Sequence, residues 1–132
     1  MEQKPIRRIG VLTSGGDAPG MNPVIRAVVR TAAAHGISVL GIRRGYSGLI
    51  NGDIIELAAR SVDGISRKGG TMLYTARCKE MLTDEGLQKA ADTCKYMGID
   101  GLVCIGGDGT FRGALALSRL GVPCIGVRGT ID

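Results

Sequence analysis

Short apolar runs alternate along this chain with longer stretches of helical period. RIGVLT (Arg8–Thr13) is almost continuously apolar and predicts a buried strand, followed by the loop SGGDAPG. Asn22 and Pro23 then read as a cap and a favoured first-turn residue, and Ile25, Val28, Val29, Ala32 and Ala33 share one face of the helix that follows. That helix is expected to end near His35, with Gly36 as its C-cap. Ser38–Ile42 predicts the next strand, RRGYSGL a turn-rich loop, and Asp53–Leu57 a short strand. Ser61–Gly70 reads as a short helix or turn. Asp84 is expected to cap a helix running to about Met97, with Leu87, Ala90, Ala91, Cys94 and Met97 as its apolar face. Leu102–Ile105 predicts a strand, Thr110–Leu120 a helix and Pro123–Val127 a last strand.

Strands that alternate with helices of this kind form βαβ units. The expected class is α/β: one domain over residues 1–132, with a mostly parallel sheet flanked by helices. Ligands in such sheets bind at the carboxyl ends of the strands, and the conspicuous glycine loops here all follow strands. No internal repeat, linker or low-complexity segment interrupts the pattern.

Composition sharpens this picture at three points. Glycine is the outlier, with 22 residues in 132, clustered just after apolar runs, as tight turns and close backbone approaches require. The net charge of +5 suits either a basic surface or an anionic ligand such as nucleotide or sugar phosphates. Nucleic acid fits less well, because aromatics are scarce and the basic residues form no stripe. The four cysteines, Cys78, Cys94, Cys104 and Cys124, contain no CxxC pair, which argues against a zinc or redox motif; Cys104 and Cys124 lie in apolar runs and read as core thiols. No signal peptide or membrane span is visible, and a reducing cytoplasm is the expected location.

Three loops carry candidate chemistry. In Thr13–Gly20 (TSGGDAPG), Gly15 and Gly16 let backbone N–H groups face an anion ahead of a helix N-terminus; the alternative is a plain strand-to-helix turn. The loop is not a Walker A sequence. In Gly106–Thr110 (GGDGT), Asp108 stands between glycines, as a Mg²⁺ ligand beside phosphates or as a helix cap. The dinucleotide pattern GxGxxG does not fit. In Gly129–Asp132 (GTID), Asp132 brings a second carboxylate to the same sheet edge, for metal holding or proton abstraction, or is a surface residue at a chain end. Arg26 and Arg30, four apart, form either a phosphate clamp or the solvated face of a helix; Arg77 is a third basic candidate. His35, at a helix C-terminus, reads as a dipole-compensating cap.

Together, IGVLTSGGDAPGMN, GIRRGYSGL, GGTMLYTAR, CIGGDGTFRGA and GTID occur in the order and spacing of the 6-phosphofructokinases, and the chain resembles the N-terminal part of that family. GGDGT alone is shared with NAD kinases and diacylglycerol kinases; TSGGDAPGMN is far more diagnostic. The resemblance implies a Rossmann-like phosphofructokinase fold, here incomplete, and a partial N-terminal nucleotide-binding domain over 1–132. It implies nucleotide contacts at Gly16, Tyr46, Arg77, Cys78, Gly107, Asp108, Gly109 and Thr110, with Asp108 the Mg²⁺ ligand. Thr130 and Asp132 match substrate contacts. Asp132 matches the general base that takes the proton from the 1-hydroxyl of fructose 6-phosphate, so that ATP yields fructose 1,6-bisphosphate and ADP in glycolysis. Arg26 and Arg30 match an allosteric site for ADP or phosphoenolpyruvate in a protein that is a homotetramer at full length.

Gly109 and Gly129 favour ATP over pyrophosphate, since pyrophosphate-using relatives typically carry Asp and Lys there. The chain departs from the family pattern at Arg128, usually proline, and at Ala59, often an effector-binding arginine. The family's subunit continues well beyond the GTID motif and supplies most sugar-phosphate contacts there, so these 132 residues alone are expected not to turn over. A non-catalytic nucleotide-binding or association module is the alternative reading; a pyrophosphate-dependent phosphotransferase is less favoured.

Overall fold

The computed structural model describes residues 5–15, 21–63, 72–76 and 78–129. Five strands form one sheet: β1 (Arg8–Thr13), β2 (Ser38–Ile42), β3 (Ile54–Leu57), β4 (Gly101–Gly106) and β5 (Cys124–Arg128). Their order is β3-β2-β1-β4-β5. All neighbours are parallel except β3, which runs antiparallel to β2. The expected α/β class is therefore the observed one.

Helices cover both faces because the strands bury both. Val11 and Leu12 are each fully buried, yet they point to opposite sides. On one side Val11, Val39 and Ile105 pack with Met21, Ile25 and Val29 of α1 (Met21–Ala34). On the other, Leu12, Leu40, Ile42, Leu102 and Cys104 meet α2 (Gly45–Asn51), α3 (Asp84–Tyr96) and α4 (Asp108–Arg119). Small residues at the contact, Ala90, Ala91 and Ala114, let α3 and α4 sit close to the sheet. Burial pushes the Cys94 thiol up to about 12, so it packs there as a protonated apolar group. Cys104 is fully buried as expected of a core thiol, whereas Cys124, on the edge strand, is half-buried.

Four local expectations are corrected. RRGYSGL is not a loop: residues 45–51 form α2, which starts at Arg44 in a left-handed conformation (φ 62°). Tertiary bonds hold that backbone, with the Arg44 N–H donating to the Leu73 carbonyl at 2.8 Å and its guanidinium 3.2 Å from Asp53. Asn22 lies inside α1 rather than capping it; its side-chain oxygen accepts from the Met72 N–H at 2.7 Å, tying the helix to a segment 50 residues away. Thr83, not Asp84, caps α3, accepting from the Gly86 N–H at 3.0 Å, while Asp84 and Glu85 favour the positive helix end from the first turn. Finally, α4 begins at Asp108, so most of GGDGT is helix rather than loop. Ala59–Val62 is a short 3-10 turn; the rest of the stretch expected to run to Gly70 lies, from residue 64 on, outside the described residues.

Candidate functional site

The chain leaves β1 toward β2 on one side and reaches β4 on the other, so the strand order reverses between β1 and β4. A crevice opens at the carboxyl ends of strands at such a switch point. A cleft of about 870 Å³ lies here, within the size range of small-molecule sites. Ser14 and Gly15 form its wall at the end of β1. Tyr46 enters from α2, Thr75, Ala76, Cys78 and Lys79 from the connecting segment, and Gly109, Arg112 and Gly113 from the first turns of α4.

The rim is fastened by backbone bonds between strand ends. The Ser14 N–H donates to the Ile105 carbonyl at 2.9 Å, and the Gly129 N–H to the Gly106 carbonyl at 3.3 Å. Thr13, fully buried, donates its hydroxyl to the Tyr74 carbonyl at 3.0 Å, which holds the connecting segment over the end of β1. Ser14, Thr75, Lys79 and Arg112 bring polar and basic groups to the cleft, while Met81, Leu82 and Ala116 bring apolar ones. Such a lining suits a ligand with both an anionic and an apolar part.

The first turn of α4 is held by Tyr46. Its phenol donates to the Thr110 carbonyl, and its ring lies where a Cβ on Gly113 would stand, 2.7 Å away. Burial pushes the phenol above its ordinary pKa, so it remains a donor. Thr110 is 3% exposed, and its hydroxyl accepts from the Gly107 N–H at 3.4 Å. Both residues thus set the shape of the turn from below. Tyr46→Phe is expected to lower stability by about 1 kcal/mol, since it removes one buried hydrogen bond without changing the ring. Urea unfolding checks this; an unchanged midpoint would show the bond to be idle.

Above that turn, Asp108 and Gly109 face outward. A Cβ on Gly107 or on Gly109 would meet nothing within 4 Å, and neither residue has positive φ. Nothing inside the fold explains glycine there. Bare backbone on the solvent side leaves room for a ligand to approach the N–H groups at the helix start, where partial positive charge collects. The Asp108 side chain is 78% exposed, and Arg128 lies 3.3 Å from its Oδ1. Among the described residues no three His, Cys, Asp or Glu side chains converge as a metal cage. One exposed carboxylate beside bare N–H groups at a helix start nevertheless fits Mg²⁺, which takes one or two carboxylates and fills its remaining positions with other oxygen ligands.

Of the residues singled out from sequence, Tyr46, Cys78, Gly107, Asp108, Gly109 and Thr110 come together at this rim. Arg26 and Arg30 lie on α1, on the opposite face of the sheet. Ala59 and Arg60 are exposed in the 3-10 turn beside α1. Gly16, Arg77, Thr130 and Asp132 lie outside the described residues. Lys79 and Arg112 were missed, and both line the cleft. Arg112 stands four residues after Asp108, one turn along the same helix, a spacing that would have pointed to it had residues 108–110 been read as helix.

The family model described as phosphofructokinase matches residues 8–132. The chain is 60% identical over 127 residues to an ATP-dependent 6-phosphofructokinase of Clostridium botulinum, covering 96% of this chain and 40% of that protein. It has the same identity, over the same length and shares, to the Clostridium tetani protein of that name. Among solved structures it resembles a phosphofructokinase of Pichia pastoris in the T-state, with 38% identity and a TM-score of 0.87 over 100% of this chain and 17% of that one. A pyrophosphate-dependent phosphofructokinase of Marinobacter aquaeolei, 21% identical with a TM-score of 0.74 over 92% of this chain and 33% of that one, shares the fold. The chain spans about 40% of the length of the curated relatives it matches.

Proposed function

The chain belongs to the phosphofructokinase family, and from that premise we propose that residues 1–132 are the nucleotide-binding part of an ATP-dependent 6-phosphofructokinase. The reaction is transfer of a phosphoryl group from ATP to the 1-hydroxyl of fructose 6-phosphate. The observation that carries the reading is the outward-facing turn of α4, with glycine at 107 and 109 where the fold does not require it and an exposed carboxylate between them.

In this reading Gly15, Gly16 and the N–H groups of 108–110 bind phosphate oxygens, with Gly107 leaving room for their approach. Tyr46, Met81, Leu82 and Ala116 enclose the apolar end of the nucleotide, and Lys79, Arg77 and Arg112 neutralise its charge. Asp108 holds Mg²⁺, which when bound screens the charge on the phosphates. Asp132 takes the proton from the sugar hydroxyl, and Thr130 is a further substrate contact. Catalysis of this kind rests on positioning and charge rather than covalent chemistry. Arg26 and Arg30, remote from the cleft, serve an effector such as ADP or phosphoenolpyruvate, in a homotetramer at full length. The 60% identity to relatives named as ATP-dependent enzymes supports ATP as donor, and the cytoplasm is the expected location. Among the described residues no helix is long and apolar enough to cross a membrane.

Gly109→Asp tests the reading. The new side chain enters open space at the second residue of a helix, where an acidic group is tolerated, so the melting temperature should stay within about 2 °C. ATP affinity should fall about fivefold, because a carboxylate would stand where phosphate is expected. Calorimetric titration measures this. Unaltered ATP affinity would place the nucleotide elsewhere.

A further inference from the structure

Arg128 ends β5 and pairs in register with Gly106, the last residue of β4, so it stands on the same rim as the proposed phosphate cradle. Its guanidinium is engaged twice by the first turn of α4. One nitrogen, Nη2, lies 3.3 Å from Asp108 Oδ1, and the guanidinium carbon lies 5.5 Å from the centre of the Phe111 ring. The ring is a fixed platform, because it packs where a Cβ on Gly126 would stand, 2.5 Å away. The arginine is thereby presented to the rim with several N–H groups still open to solvent, its side chain being 63% exposed.

We propose that Arg128 is an additional anion contact of this rim, and that it competes with a divalent cation for Asp108. The inference rests on the nucleotide reading above. An ion pair this exposed is weak, worth about 0 to 1 kcal/mol, so either ligand can part it. A cation binding Asp108 must displace the guanidinium and then meets its positive charge nearby. A phosphate group reaching Arg128 before any metal is bound finds a planar donor already oriented by Phe111. Arg128 therefore favours metal-free nucleotide and opposes the free metal ion, so its removal changes the two affinities in opposite directions. A surface ion pair without a role would change neither.

The experiment titrates the chain with Mn²⁺ alone, and with ATP in the presence of EDTA, at low salt where exposed charges are least screened. Arg128→Gln should bind Mn²⁺ about threefold more tightly and metal-free ATP about threefold more weakly, while Arg128→Lys, which keeps the charge without the planar donor, stays near the parent for Mn²⁺ and falls between the two for ATP. Equal affinities in parent and Arg128→Gln would reduce the pair to surface decoration and overturn the proposal. Weaker Mn²⁺ binding in Arg128→Gln would also overturn it, since the arginine would then be orienting Asp108 for the metal. If the parent chain takes up neither ligand, the nucleotide reading itself fails; if the parent binds both and Arg128→Gln matches it, only the role of Arg128 fails.

Discussion

Asp108→Asn is expected to abolish the gain in ATP affinity that Mg²⁺ confers, lowering affinity for the magnesium nucleotide about thirtyfold, or about 2 kcal/mol. The side chain is the first residue of α4 and points to solvent, so the substitution keeps size and helix start while removing the charge. No cluster of acidic side chains among the described residues can take its place. The cost to folding should be small. An acidic group in a first helical turn is worth about 0.3 to 1 kcal/mol, and the exposed pair with Arg128 adds little. Metal-free ATP should bind slightly better, because a negative charge has left the phosphate site and Arg128 is released toward it. Paired titrations with Mg²⁺ and with EDTA separate these effects. A Mg²⁺ enhancement that survives in Asp108→Asn would move the metal to another ligand.

Gly48→Ala should be the most damaging small substitution for stability. In an ordinary exposed helix this change stabilises, by about 1 kcal/mol. In α2 the added Cβ would stand 1.7 Å from the Arg43 carbonyl oxygen and 2.8 Å from its carbon. That carbonyl has little freedom to move. The Arg43 N–H donates to the Asp53 carbonyl at 2.9 Å, its guanidinium lies 3.1 Å from the Asp53 carboxylate, and the Asp53 N–H returns to the Gly48 carbonyl at 2.9 Å. The turn into α2 and the turn out of it are thus bolted together at Gly48. A loss of about 3 kcal/mol, and of about 10 °C in melting temperature, is expected. Nucleotide affinity should fall as well, since α2 carries Tyr46 to the Thr110 carbonyl. Thermal unfolding followed by circular dichroism measures the first effect. A stabilised Gly48→Ala would mean that α2 and Arg43 separate freely.

The same glycine explains why α2 was illegible beforehand. RRGYSGL contains two glycines and a serine, and local propensity assigns such a stretch to a turn. The segment is helical because Tyr46 and Leu49 are buried under α3 and α4, and because Gly48 alone allows the close approach to Arg43. The Asn22 reading failed for a related reason: an asparagine beside Pro23 looks like a cap until Met72 arrives from far along the chain. Lys79 carried no motif of its own and entered the site only by folding, whereas Arg112 stood inside CIGGDGTFRGA, where only the helical reading of residues 108–110 brings it to the cleft.

What the order of residues determined alone was the part written in short-range periodicity. Apolar runs placed β1 and β2 at their observed bounds and the other strands to within a residue or so at either end, and glycines marked the rim loops, because burial and backbone freedom depend on neighbours in sequence. Tertiary structure alone decided the strand order, the antiparallel β3, the support of α4 by Tyr46 and the pairing of Arg128 with Asp108. Each of these joins groups many residues apart, and such contacts exist only once the whole sheet has closed and chosen which strand ends lie side by side.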